Sequence, residues 1–93
     1  MKGKIVLVPF QFTDMTSTKL RPALVLHEGE RDVVVAFISS RTANRTAVDV
    51  LIREDNSEFK KTGLKLSSAI RLDKIATISK NLVLGEIGEI GPS

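Results

Sequence analysis

Residues 32–39 read DVVVAFIS, the most strongly apolar and β-branched run of the chain. Side chains of this kind favour extended backbone. A nearly continuous apolar run of this length is typical of a strand that is buried on both faces of a sheet. The run therefore predicts a central strand around which the remaining strands are arranged.

Shorter strand-like runs lie on both sides of this central strand. Turn signals separate them every 8–12 residues, and no segment shows a sustained helical period. Besides 32–39, we expect strands at 5–10, 23–27, 48–52, 67–72, 74–78 and 86–90, polar loops at 13–18, 40–46 and 54–61, and at most one helical turn within 79–84. The pattern predicts a mainly β protein, a small antiparallel barrel of about six to seven short strands.

Composition narrows the range of functions. The length of 93 residues suits one domain, 1–93. No cysteine and one histidine leave no disulfide and no zinc site, so we expect neither a metal nor a cofactor. The acidic residues lie in separate segments, so their spacing does not indicate a magnesium site; examples are Asp14, Asp49, Asp55 and Asp73.

The chain carries no recognisable targeting or membrane segment. The apolar run near the N-terminus is too short for a signal peptide, and no segment approaches the length of a membrane span. A cytoplasmic protein with no membrane partner is expected. The net charge of +3 permits an anionic partner without requiring one.

An arginine stands directly before a proline at Arg21-Pro22, and an apolar run follows. Proline cannot donate to a strand ladder, so Pro22 is expected at the first residue of a strand or on an edge. Arg21 is then held in extended backbone at the mouth of that strand. A guanidinium fixed there can hold a phosphate through two hydrogen bonds, although a solvated arginine before a strand is the alternative.

Four blocks together resemble the MazF/PemK family of bacterial toxins. In chain order they are GKIVLV at 3–8, RPALVL at 21–26, VAFISS at 35–40 and IRLDKIATI at 70–78. The resemblance extends over nearly the whole chain. It implies an SH3-like barrel, a homodimer, and metal-independent, sequence-specific cleavage of single-stranded RNA by attack of the 2′-hydroxyl. It also implies neutralisation by a cognate antitoxin.

The sequence departs from the family pattern in three places. Some members carry a histidine in the loop before the Arg-Pro pair, and the corresponding segment 13–20 has none. Family members usually continue into a C-terminal helix, whereas this sequence ends in Gly91-Pro92-Ser93. Ser39 stands where the family carries a threonine, so the hydroxyl is kept and the methyl group is lost. The missing C-terminal helix bears on the expected dimer interface, and the missing methyl group at Ser39 bears on the expected level of activity.

By the same resemblance, Arg21 corresponds to the catalytic arginine. Its expected role is charge stabilisation, because a guanidinium stays protonated and makes a poor base. Ser39 is expected to donate its hydroxyl to a phosphate oxygen, and Ser40 is held in reserve. The alternative for Ser39 is a strand-end serine bonded to nearby backbone.

Arg71 and Asp73 resemble an arginine–aspartate pair that some members use as acid and base. Their spacing of two places both side chains on one side of a strand. An adjacent arginine lowers the pKa of an aspartate, which disfavours Asp73 as a base near neutrality. Arg71 is therefore expected to bind phosphate and Asp73 to orient it, with a structural surface pair as the alternative.

Several loop residues are expected to follow the RNA backbone: Lys19, Ser40, Arg41 and Arg45, with Lys65 nearby. A solvated surface is the alternative for each of them. A non-catalytic member that binds RNA, an antitoxin or DNA gyrase without cutting RNA is the competing function. The presence of Arg21 together with the Ser39 hydroxyl favours the enzyme.

Overall fold

The computed structural model describes residues 1–11, 18–41 and 49–90. The strands in these ranges are β1 (Lys4–Gln11), β2 (Thr18–Glu28), β3 (Asp32–Ser39), β4 (Val50–Ile52), β5 (Ser68–Ser79) and β6 (Gly85–Glu89). They form one antiparallel sheet in the order β4-β5-β3-β2-β1-β6, curled into a half-barrel. A short helix, α1 (Phe59–Thr62), precedes β5, and a 3-10 turn (Lys80–Leu82) follows it. The mainly β antiparallel architecture expected from the sequence is confirmed.

Strand β3 has the bounds and the burial that its composition predicts. It pairs with β2 on one side and with β5 on the other. Val33 and Val35 are buried on one face of the sheet, while Ala36 and Ile38 are buried on the opposite face. Burial of both faces explains why its apolar run is continuous rather than alternating.

Each face of the sheet carries its own apolar cluster. The first cluster consists of small β-branched residues and alanine, each at most 1% exposed: Val6, Val8, Ala23, Val25, Val33 and Val35. The second cluster is built from larger side chains: Ile5, Ala36, Ile38, Ile52 and Ile70, with Phe59, Leu64 and Ile87 packed against them. Full burial of a valine or isoleucine stabilises the fold by about 1.5–3 kcal/mol, so these two clusters hold the sheet in its curl.

Helix α1 begins within the polar surface loop expected at 54–61: residues 54–58 form turns, as expected, but the loop expectation is wrong for 59–61. Phe59 and Leu64 pack into the second cluster, and the Thr62 hydroxyl donates to the Phe59 carbonyl at 2.6 Å. Gly63 ends the helix with a positive φ of 73°. A single turn is too short to show a helical period, so only burial of its apolar side chains reveals it.

Strand β2 begins at Thr18, so the expected start at residue 23 is wrong and Pro22 lies inside a strand. Pairing between β2 and β3 starts only at Ala23, opposite Phe37, whereas pairing with β1 extends back to Thr18. The segment 18–22 therefore has one open edge. Proline is tolerated beside such an edge, which explains its position within β2.

Strand β5 is continuous, although two separate strands with a break at Asp73 were expected. Ala36 pairs with Ile75, but its neighbour Phe37 pairs with Arg71, so residues 72–74 have no partners in β3. The predicted break is a bulge of three residues within one strand. Bulges bend a strand and redirect its side chains, and they are common beside functional sites.

The remaining boundaries agree with expectation to within two residues. The fourth strand begins at Val50, the 3-10 turn lies within 79–84, and β6 ends at Glu89. The expected loop at 13–18 lies outside the described residues except for Thr18, which begins β2; of the loop at 40–46, only Ser40 and Arg41 lie within them. Neither helical segment in the described ranges is long and apolar enough to cross a membrane.

The contact between α1 and β6 predicts that alanine substitution will have very different effects on stability at two glycines of β6. A Cβ at Gly88 would collide with the backbone of Lys61 and Thr62, whereas a Cβ at Gly85 meets no atom within 4 Å. We expect Gly88→Ala to lower the free energy of unfolding by about 1–3 kcal/mol and Gly85→Ala to change it by no more than about 0.5 kcal/mol. Urea denaturation measures both; equal midpoints for the two variants would contradict the packing.

Glu28 joins the β2–β3 hairpin to the turn after β5 and predicts an acid dependence of stability. It accepts from Lys80 at 2.8 Å and from the Met1 ammonium at 2.6 Å. The Lys80 hydrogen bond, followed by that of the ammonium group, lowers the pKa of Glu28 from 4.5 to about 2. Its stabilising effect is then fully present above pH 4.5 and is lost as the pH falls towards 2.

We expect Glu28→Gln to be less stable than the wild type at pH 6 and the difference to shrink steadily between pH 4.5 and 2. Thermal melting across this pH range measures it. Glu30→Gln is the control, since Glu30 lies in the same hairpin turn and has no ion pair within the described part of the chain. A difference that stays constant with pH would show that the Glu28 ion pairs do not contribute in this way.

Candidate active site

An open groove of about 960 Å³ lies at the end of β3, between the open edge of β2 and the bulge of β5. Seven of the candidate site residues singled out from the sequence line it: Arg21, Ser39, Ser40, Arg41, Lys65, Arg71 and Asp73. Lys19 lies on β2 outside this lining, and Arg45 lies outside the described residues. The groove thus brings together side chains from three strands and two loops.

Strand register explains why these residues meet. Phe37 of β3 lies directly opposite Ala23 on one side and Arg71 on the other, so the three side chains share a face of the sheet. Arg21 is two residues before Ala23, and Ser39 is two residues after Phe37, so both point to this same face. The open edge at 18–22 leaves Arg21 exposed there.

Ser39 forms a hydrogen bond with nearby backbone, as the alternative interpretation of a strand-end serine predicts. Its Oγ accepts a hydrogen bond from the Arg41 amide at 3.1 Å. A hydroxyl that accepts in this way keeps its own hydrogen for donation to another group. The contact fixes the start of the loop after β3, where Ser40 and Arg41 are exposed at the groove.

Arg71 is held by two carboxylates. Its Nε donates to Asp73 Oδ1 at 3.1 Å and lies 2.8 Å from Asp49 Oδ2, while one Nη donates to Asp73 Oδ2 at 3.1 Å. The hydrogen bond with Asp73, reinforced by the attraction of both carboxylates, raises the pKa of Arg71. The expected pairing of Arg71 with Asp73 is present, and much of the donor capacity of Arg71 is used within the protein.

Asp49 is the site residue that the sequence did not reveal. It was grouped with aspartates in separate segments, and it fell within the expected fourth strand. In the structure it precedes β4, whose Val50 pairs with Ile70, and this register places Asp49 beside Arg71. The presence of an aspartate inside an otherwise apolar predicted strand could have marked Asp49 as a candidate site residue. Only the pairing of β4 with β5 shows that its ion-pair partner is Arg71.

The groove combines cations with apolar side chains. Arg21, Arg41, Lys65 and Lys74 contribute positive charge, whereas Phe37, Leu64, Leu66 and Ile75 contribute apolar surface. Cations of this kind contact phosphates, and aromatic or aliphatic surfaces pack against bases. Among the described residues, no three acidic or histidine side chains lie close enough together to hold a metal ion.

The curled antiparallel sheet with its open, basic end defines a MazF-like barrel protein. The whole chain, residues 1–93, matches the family described as the PemK-like, MazF-like toxin of type II toxin-antitoxin system, and it belongs to that family. The resemblance drawn from the four sequence blocks is therefore confirmed. Members are generally endoribonucleases of toxin–antitoxin systems, and membership implies an antitoxin partner. A comparison with curated proteins finds no match.

Proposed function

We propose that this chain is a single-domain, sequence-specific endoribonuclease that cleaves single-stranded RNA without a metal and is neutralised by an antitoxin. The observation that carries the proposal is the meeting of Arg21, Ser39 and the Arg71–Asp73 pair in one open groove. The family supplies the reaction class, and the groove supplies the residue types that the reaction needs.

In this reaction the 2′-oxygen of a ribose attacks the adjacent phosphorus. The new bond closes a 2′,3′-cyclic phosphate, and the bond from phosphorus to the 5′-oxygen breaks. One proton leaves the 2′-hydroxyl and one is delivered to the departing 5′-oxygen, so atoms and charge balance. Most of the work of the protein is positioning and stabilisation of the charge on the phosphoryl oxygens.

Arg21 is assigned to the phosphoryl oxygens in this proposal. It stands on the open edge of β2, where its guanidinium is exposed in the groove. A planar guanidinium offers two parallel donors to two oxygens of one phosphate. The Ser39 hydroxyl, whose oxygen already accepts from Arg41, supplies a third donor on the same face.

The Arg71–Asp73 pair is assigned to the reacting ribose. It presents a donor and an acceptor side by side, which can hold the 2′-hydroxyl and the departing 5′-oxygen in line for the reaction. Because two carboxylates hold Arg71, the proposal gives it this positioning role rather than the phosphate contact expected from the sequence. The exposed Arg41, with Lys65 and Lys74, follows the RNA backbone, and a homodimer would extend this surface.

The proposal predicts cleavage that depends on Arg21. Purified protein in EDTA is incubated with end-labelled single-stranded RNAs of varied sequence, and the product ends are mapped. We expect cuts at a short recurring sequence that leave a cyclic phosphate. Arg21→Ala should reduce the rate by about 10²–10³, as removal of one charge-stabilising donor does.

Arg53→Ala is the matched control, because Arg53 is exposed, pairs with Asp55 at 3.3 Å and does not line the groove. It should cleave at the wild-type rate. RNA that stays intact across varied sequences would favour the second candidate, a non-catalytic binder. The engagement of Arg71 by two carboxylates and of Ser39 by the Arg41 amide is the observation that keeps this candidate open.

A further inference from the structure

Among the ion-paired acids in the described part of the chain, Asp49 is set apart by its burial. Its side chain is 0% exposed, whereas the acidic partners in the other ion pairs of the described residues are about a third exposed or more. Aspartate is almost never fully buried unless it is paired, because desolvation of an unpaired carboxylate is strongly unfavourable. Asp49 is therefore kept in place by partners, and two of them, Arg71 and Leu72, belong to β5, the strand whose bulge borders the groove.

One of the partners is the backbone of the β5 bulge. Oδ1 of Asp49 accepts from the Leu72 amide at 3.0 Å. Leu72 is the first of the three bulge residues that have no partners in β3. The carboxylate thus satisfies an amide that the β3–β5 ladder leaves unpaired, and it fixes the bulge that carries Asp73 and Lys74 into the groove.

A second partner is the Arg71 guanidinium. Oδ2 of Asp49 lies 2.8 Å from Nε, the same nitrogen that donates to Asp73. The three charged groups sum to one negative charge, so this end of the groove does not attract a phosphate. The positive charge that remains in the lining comes from Arg21, Arg41, Lys65 and Lys74.

We propose that Asp49 is a positioning residue of the RNA-cleaving site: it locks Arg71 and the bulge in place and offsets the charge of Arg71, so that RNA phosphates bind on the Arg21 and Arg41 side. The predicted effect of Asp49 on cleavage rests on the proposed function. The predicted effect of Asp49 on RNA affinity can be measured whether or not the RNA is cut.

Asp49→Asn tests the proposal, because the amide keeps the size of the side chain and an oxygen for the Leu72 amide but loses the charge. With Asp49 neutral, the Arg71–Asp73 pair carries no net charge where the wild-type cluster carries one negative charge, so we expect RNA to bind about three- to tenfold more tightly at low salt. The slope of log Kd against log salt should steepen by no more than about 0.7, the value for one phosphate contact on a single strand. Arg71 also loses one of the two carboxylates that hold it, so the cleavage rate constant should fall by about tenfold or more.

Asp55→Asn is the matched control. It makes the same change of charge at an exposed residue that is paired with Arg53 and lies outside the groove. Fluorescence anisotropy with a non-cleavable single-stranded RNA, in which 2′-deoxy residues replace ribose, gives Kd. Single-turnover cleavage of the matching RNA at saturating protein gives the rate constant of the cleavage step, and thermal melting reports whether each variant is folded.

Tighter binding together with slower cleavage in Asp49→Asn alone supports the proposal, since a purely structural defect would weaken both. Equal effects of Asp49→Asn and Asp55→Asn would overturn it. If Asp49→Asn does not fold, Asp49→Glu applies the positioning part of the test, because glutamate keeps the charge but its longer side chain displaces the carboxylate from Arg71 and from the Leu72 amide. Its cleavage rate constant should then fall while its Kd stays within twofold; an unchanged rate constant would overturn the proposal.

The failure of the proposed function is distinguishable from the failure of this inference. Wild-type protein that binds RNA but leaves it intact would exclude the ribonuclease. The Kd values of the wild type, Asp49→Asn and Asp55→Asn would still show whether the charge of Asp49 weakens RNA binding. Wild-type protein that neither binds nor cleaves RNA would overturn both proposals.

Discussion

The pairing of β3 with its two neighbours is the constraint on which the rest of this structure depends. Both faces of β3 are buried, so both ladders must hold it in register. Neither ladder is complete at the end of the strand. Pairing with β2 begins at Ala23, and pairing with β5 slips by three residues after Ala36. The groove occupies the place where the two ladders part.

The charges of the groove are arranged in two layers. Arg21 and Arg41 are exposed on its surface, where a ligand phosphate can reach them. Asp49 is buried beneath the bulge, where it bonds to the protein rather than to a ligand. A buried carboxylate with an arginine and an amide as partners is well compensated, whereas the same carboxylate without them would be strongly destabilising. The arrangement separates the groups that hold the site together from those that face an anionic partner.

Sequence patterns predicted the strands whose environment is uniform. The apolar run at 32–39 belongs to a strand buried on both faces, and its bounds were predicted to the residue. Prediction failed where the environment changes along an element. Pro22 lies in a strand with one paired and one open side, and Asp73 lies in a bulge rather than a break. Helix α1 was missed because its single turn forms through the packing of Phe59 and Leu64.

By itself, the sequence determined the central strand, the antiparallel β class, the family, and most of the charged residues that line the groove, because each of these is recorded in local composition or in short blocks. Only the tertiary structure decided that Asp49 lies against Arg71. That contact depends on the register of the short strand β4 against β5, in which Val50 is opposite Ile70. A shift of one residue would turn Asp49 to the other face of the sheet, and the spacing of residues along the chain does not specify such a register.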